Sequence, residues 1–288
     1  MPERVERWIA ELTGDLVSSP WFDRLARFGY ASKGAVFGIV GVLAISRGLG
    51  SHGDAEDTPG ALEALQELPL HEGLLVLLAV GLAGYALWRM VQALLDSEGE
   101  GLGWVGLAKR SIYLGIGIFY GYLAVFAIGI MFGMRGEDNG VQDFTATVLA
   151  WPGGRILVGL AGVGVALGGL NEIVFALRGK YRSEFERREM PTWERFAMKG
   201  VGWWGHVGRG LVYGLIGYLV VRSAVTMDPD DGGGLAQAFE TLEDWSYGWI
   251  LLLLAGAAFF AFGLYCALLS IHREIDSEAA VHGSLEGS

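Results

Sequence analysis

The sequence is poor in charge. Only 18% of its 288 residues are Asp, Glu, Lys or Arg, against about 25% in an average soluble domain. The balance is acidic, with 21 basic residues against 32 acidic ones and a net charge of −11. Recognition of a nucleic-acid backbone requires a basic face, so that class is excluded. Cysteine is almost absent: Cys266 stands alone, which rules out an intramolecular disulfide or a multi-thiolate metal site. The five histidines are scattered without ligand spacing, and no P-loop, nucleophile elbow or dinucleotide fingerprint occurs. His52 with Asp54, Glu56 and Asp57 reads as a solvated acidic loop. The sequence therefore identifies no catalytic residue, no metal site and no cofactor. No cleavable signal peptide is expected, since 28 polar or amphipathic residues precede the first long apolar run.

What fills the chain instead is glycine, 46 residues of it, within a composition that is 52% apolar. The apolar residues gather into six runs, 29–47, 73–95, 111–134, 155–177, 203–225 and 248–271, each near the roughly 20 residues that a spanning helix needs. Lys33, Arg47, Arg209 and Arg222 lie near span ends, where long basic side chains reach back to the headgroups. Basic residues divide 17 to 4 between the two sides of this topology. By the positive-inside rule both termini are expected in the cytoplasm, with the chain in the inner membrane. The outer loops 48–72 and 226–247 each carry six acids and no base.

Internal repetition organises the runs. A shift of 83 carries Gly34-Ala35-Val36-Phe37-Gly38 onto Gly117-Ile118-Phe119-Tyr120-Gly121, and a further 93 reaches Gly210-Leu211-Val212-Tyr213-Gly214. The first shift also maps Pro69 to Pro152, Gly81 to Gly164 and Ala93-Leu94 to Ala176-Leu177. The expected fold is all-α: a polytopic membrane protein of six transmembrane helices, built as three tandem two-helix repeats in a pseudo-threefold arrangement. Its segments are an amphipathic interfacial N-terminal stretch (1–24), hairpin repeats at 25–95, 108–178 and 201–271, a basic amphipathic cytoplasmic loop (179–200) and an acidic tail (272–288). Short amphipathic helices are expected in the outer loops at Ala61–Leu68, Phe144–Trp151 and Leu235–Trp245.

Arg27-Phe28-Gly29-Tyr30, Gly34 to Gly41, Gly81 to Arg89 and Gly208 to Gly214 resemble the bacterial membrane proteins classed as domain of unknown function 1206. The resemblance covers roughly residues 24 to 273 and implies three copies of a two-helix unit. It implies no activity. The middle copy departs most, with Ile116 where the others have Lys33 and Arg209.

Three groups of residues are candidates for function. Gly34, Gly38, Gly117, Gly121, Gly210 and Gly214 carry small-residue spacing that brings membrane helices together. With Phe37, Tyr120 and Tyr213 they are expected where the three first helices meet, as tight packing or as the lining of a narrow passage. Arg89 and Glu172 are equivalent under the shift of 83 and form a candidate intramembrane ion pair with Asn171 beside it. Arg27, Lys33, Arg110 and Arg209 form a cytoplasmic cationic rim suited to anionic lipid headgroups. Two functions remain open: a non-catalytic structural or lipid-interacting bundle, and a permeation or binding protein for an ion or small solute. The first is preferred, because few polar residues are available to line a wet path.

Overall fold

The computed structural model describes residues 20–50, 58–67, 71–95, 101, 103–133, 140–185 and 190–272. Most of the expected N-terminal interfacial stretch, the 51–57 loop with its histidine and acids, and the tail beyond His272 lie outside the described residues. Within them the chain is helical and contains no strand. The helices are α1 (Pro20–Gly48), α2 (Thr58–Glu63), α3 (His71–Leu95), α4 (Trp104–Met131), α5 (Gly140–Leu149), α6 (Gly154–Leu177), α7 (Thr192–Thr226), α8 (Leu235–Glu243) and α9 (Gly248–His272). Five are long and apolar enough to cross a membrane, over Arg27–Gly48, His71–Leu94, Trp104–Met131, Gly154–Leu177 and Gly248–Ile271. The remaining expected span, 203–225, lies inside α7. That helix is long enough at 35 residues, but its apolar stretch is broken by His206 and Arg209.

Helix ends follow local chemistry. At the end of α4, Gly133 takes φ +82°, and its N–H donates to the Ile130 carbonyl at 3.0 Å. Gly179 closes α6 in the same way at φ +66°, donating to the Ala176 carbonyl at 3.0 Å. A left-handed residue after the last turn satisfies carbonyls that would otherwise lack donors, and glycine takes that conformation without a Cβ penalty.

The chain divides into two compact units, residues 1–33, 72–133 and 269–288 in one, and 34–71 and 134–268 in the other. In the first unit, α4 meets α3 at Gly117, where an added methyl would lie 2.9 Å from Met90 Cγ and 3.2 Å from the Ala86 carbonyl oxygen. α1 meets α3 at Gly29, where a methyl would lie 2.8 Å from the Tyr85 nitrogen. In the second unit, α7 meets α6 at Gly210, 2.6 Å by the same measure from the Gly169 oxygen, and at Gly217, 2.7 Å from the Gly162 oxygen. α1 meets α9 at Gly34, 2.7 Å from the Gly263 oxygen, and at Gly41, 2.7 Å from the Gly256 oxygen.

One rule describes all three of these repeated contacts. The glycine that opens each Gly-x-x-aromatic-Gly element faces the second helix of the preceding copy, and the first copy takes the second helix of the third. At Gly34, Gly117 and Gly210 the facing helix is therefore a second helix. The second glycine of each element matters less. Gly38 and Gly214 have nothing within 4 Å of an added methyl, and at Gly121 the nearest atom is 3.9 Å away.

The short helices between the long ones occupy the expected places. α8 buries Ala238 and Phe239, with Phe239 5.7 Å from Phe259 of α9. Gln142 of α5 donates to Gln237 of α8 at 3.0 Å, while Val148 and Leu149 join Val158 and Ala224 in a small buried cluster.

This geometry separates two substitutions that look alike in sequence. Gly210→Ala should destabilise the protein by about 1–3 kcal/mol, because the backbone opposite has no room to yield. Gly214→Ala should be neutral or stabilising by up to about 1 kcal/mol, since alanine is the better helix former. Thermal melting of both variants in the same detergent checks the pair.

Candidate functional site

The shifts that align the glycines also align the residues around them. Tyr30, Tyr113 and His206 are equivalent on the first helices, as are Lys33, Ile116 and Arg209, and Phe37, Tyr120 and Tyr213. On the second helices the facing residues Ala86, Gly169 and Gly263 are 83 and 94 apart, and in that register Tyr85 aligns with Gly168 and Phe262, and Arg89 with Glu172 and Cys266. Two of the three sets close into a box of rings around a cation, one in each unit.

In the first unit Tyr85 is fully buried and forms the centre. Tyr30 meets it edge-on at 5.2 Å and 82°, and Tyr120 at 4.7 Å and 76°. The Lys33 ammonium lies 4.9 Å from the Tyr85 ring centre and donates to its hydroxyl oxygen at 3.1 Å. Arg89 donates to the same oxygen from Nε at 3.0 Å and from Nη2 at 2.9 Å. Its Nη1 donates to Gln92 Oε1 at 2.9 Å, and its guanidinium lies 5.3 Å from the Tyr113 ring.

The second unit repeats the box with different chemistry. Phe262 takes the place of Tyr85, His206 meets it edge-on at 5.3 Å and 79°, and Phe37 does so at 5.1 Å and 87°. The Arg209 guanidinium stacks 3.5 Å from the Phe262 ring centre, within the range where a desolvated cation–π contact contributes about 2 kcal/mol. Glu172 reaches in from α6. Its Oε1 accepts from Arg209 Nη2 at 2.6 Å, and its Oε2 lies 2.5 Å from His206 Nδ1.

His206 and Arg209 are 7% and 6% exposed, so this is a buried ion pair with a histidine attached. Phe175, Tyr181 and Tyr265 complete the histidine cage at 5.1, 6.0 and 5.3 Å. His206 Nε2 is buried without a hydrogen-bond partner among the described residues. The middle copy has neither half of a box: Ile116 replaces the cation and Gly168 the ring.

The residues singled out in the sequence are therefore distributed differently from expectation. Arg89 and Glu172 fall in different units, and each has partners inside its own unit. Asn171 is exposed. Arg209 is not a rim cation but a buried partner of Glu172. Arg27 and Arg110, equivalent under the shift of 83, cap helix ends. Arg110 donates to the Ala93 and Leu94 carbonyls at 2.7 and 3.0 Å, and Arg27 donates to the Ile271 carbonyl at 3.3 Å. Cations are favoured at helix C-termini by the orphan carbonyls and the helix dipole.

Ligand spacing among the histidines does not single out His206 in the sequence. Its equivalence with Tyr30 and Tyr113, and its spacing of three from Arg209, were the available signals. Among the described residues no group of three or more His, Cys, Asp or Glu is placed to hold a metal ion.

Removing one partner from a buried ion pair strands the other, at a cost of about 3–5 kcal/mol. Glu172→Ala should lower stability by about that amount, whereas Asn171→Ala beside it should change stability by less than about 0.5 kcal/mol. The double replacement Glu172→Leu with Arg209→Met should recover most of the loss, because it removes both charges together. Melting curves of the variants in one detergent decide the matter.

Comparison with known proteins adds the family. A family model described as Domain of Unknown Function (DUF1206) matches three times, over residues 28–96, 112–179 and 204–273. The uncharacterised protein YxxB of Bacillus subtilis (strain 168) is 31% identical over 261 residues, which covers 91% of this chain and 94% of the relative. No solved structure matches the chain.

Proposed function

The chain belongs to the DUF1206 family, whose description carries no activity, and on that premise we propose that it is an inner-membrane, non-catalytic helical bundle that interacts with lipid. In this reading it spans the membrane six times as three hairpins, with both termini in the cytoplasm. The observation that carries the reading is how the intramembrane charges are used. Glu172 is held by His206 and Arg209, and aromatic rings close around that cluster. Large apolar side chains such as Ile118 and Val125 on α4, and Leu160 and Leu167 on α6, stay exposed. Apolar outside and neutralised inside suits hydrocarbon as the solvent.

The sixth span is α7. Were it not to cross, the 178–200 loop with its seven bases would share a side with the acidic, base-free 226–247 loop. The positive-inside rule favours crossing. Arg209 and His206 lower the hydropathy of α7, but their cost is offset by Glu172 of the neighbouring helix. The contacts also follow the order that a threefold repeat requires, each first helix resting on the preceding copy's second helix and the third copy's second helix returning to the first copy.

A second reading, permeation or binding of an ion or small solute, draws on the same buried Glu172–His206–Arg209 cluster, since ionisable groups inside spans often mark such paths. The rings packed against the cluster leave the lipid-interacting reading ahead. The topology is testable with single cysteines on a Cys266→Ala background. Asp230→Cys should react with a membrane-impermeant maleimide applied to intact cells, and Ser183→Cys should react only after permeabilisation. Equal labelling of both from outside would mean that α7 does not cross.

A further inference from the structure

We propose that His206 is a proton-binding site and that the turn Lys180–Glu184, with Phe185 after it, is the lid that closes this site from the cytoplasm. The inference goes beyond the lipid-interacting reading and does not depend on it. It starts from the two nitrogens of one ring. Nδ1 lies 2.5 Å from Glu172 Oε2. An ionised carboxylate only accepts, so that contact places a hydrogen on Nδ1. In the neutral ring Nε2 is then a bare acceptor, buried and without a hydrogen-bond partner among the described residues. A carboxylate on one nitrogen orients an imidazole and raises the basicity of the other. A proton satisfies such a lone pair without needing room, which matters where rings pack against the imidazole.

Each element packed against the ring bears on that proton. α6 supplies Glu172 and Phe175, α9 supplies Phe262 and Tyr265, and the turn supplies Tyr181. The four aromatic ring centres lie 5.1 to 6.0 Å from that of the imidazole, within the range where a ring attracts a cation. Glu172 attracts the proton as well. Arg209, nearly one turn on along α7, opposes it by like charge, and the carboxylate meets both, Oε1 toward Arg209 and Oε2 toward His206. The Tyr181 and Tyr265 hydroxyls donate to the carbonyls of Lys199 and Tyr181 at 2.9 and 3.0 Å, not to Nε2. Cys266, next to Tyr265 on α9, faces Gly34 of α1. Opposed influences of this kind suit a proton that is gained and lost rather than permanently held.

Access to the ring is set by the turn. Gly179, at φ +66°, ends α6 and reverses the chain, and Tyr181 and Phe185 beyond it are 0% and 1% exposed. Phe185 packs on Tyr181 and Tyr265 at 6.3 and 6.4 Å. Gly202 of α7 gives the Tyr181 ring its room, since an added methyl there would lie 2.8 Å from Tyr181 Cδ2. Glu172 precedes Leu177, the last residue of its span, by five positions, roughly 8 Å at a rise of about 1.5 Å per residue. By the positive-inside count that end is cytoplasmic, so the turn stands between His206 and the cytoplasm. A short turn held by two rings opens at less cost than a long helix.

The test is nitrogen NMR of the full chain in detergent, labelled at histidine. The His206 signals are those lost in His206→Asn, whose amide can still donate to Glu172. At about pH 8 the ring should carry hydrogen on Nδ1 alone and at about pH 5 on both nitrogens, the interval over which imidazoles ordinarily titrate. Opening the lid with Tyr181→Ala should speed exchange of the ring hydrogens with water by at least about tenfold, and Phe185→Ala makes the same measurement if that variant does not fold. Trp193→Ala, at an exposed position of α7, should exchange as wild type does. Hydrogen on Nε2 with Nδ1 bare, or one unchanged protonation state across the interval, would overturn the proton site. Exchange as fast in wild type as in the folded lid variants would overturn the lid. Both readouts come from His206 itself, so the lipid-interacting reading stands or falls separately.

Discussion

The structure depends on helix backbones approaching one another at glycine. Inside hydrocarbon no hydrophobic effect draws helices together, so association rests on close packing and on polar contacts made across it. At Gly117 the nearest opposing atom is Met90 Cγ, with the Ala86 oxygen behind it; at Gly34 and Gly210 it is a main-chain oxygen, of Gly263 and Gly169 in turn. A side chain there would push the helices apart. Because the contact falls at the same register each time, it also fixes what lies beside it. Lys33 and Arg209 immediately precede their contact glycines, and Phe37 and Tyr120 follow theirs by three residues, nearly one turn. The positions of cation and ring are thus consequences of backbone approach.

On that shared frame the three copies differ in chemistry. The edge-on ring pairs Tyr30–Tyr85 and His206–Phe262 have nearly the same distance and angle, although no residue identity is shared between them. Their charges differ more. The first copy brings together Lys33 and Arg89, whereas the third balances Arg209 with Glu172 supplied by the second copy. The second copy lacks both the cation and the ring, at Ile116 and Gly168. A cation over no ring would be buried without compensation, and a ring without its cation would lose its polar partner. The two positions are coherent together, as a box or as an apolar contact.

Much of this was legible in the sequence, and the remainder was hidden for definable reasons. Apolar runs and the Gly-x-x-aromatic-Gly element report on a helix and its own surface, so helix positions could be read directly, while of the two glycines in each element only the first is tightly faced. Partner choice could not. A small-residue pattern says that something approaches, and for Gly34 that partner lies on α9, more than 200 residues away. The same limit applied to Arg27 and Arg110: a basic residue near a span end reads as a rim cation, because the carbonyl it caps belongs to another helix. The equivalence of Glu172 with Arg89 says that the two occupy matching positions, not which groups answer each charge, and for Glu172 those include Arg209 and His206.

The gap between α7 and the five helices that qualify as spans on composition has the same origin. Hydropathy treats every residue as if it faced solvent alone. Even near a span end, an arginine and a histidine within one turn depress the hydropathy of a glycine-rich helix. Yet Arg209 is never required to meet hydrocarbon unaccompanied. Its carboxylate partner lies on α6, the helix that immediately precedes α7 among the proposed spans. The contact that seats them, Gly169 against Gly210, sits within one turn of both charges. In the proposed six-span reading, a helix that is marginal by itself becomes acceptable as the second member of a pair. For α7 the unit to be judged for membrane insertion is therefore the α6–α7 pair, which joins the second repeat to the third and cuts across the boundary that the sequence repeat draws.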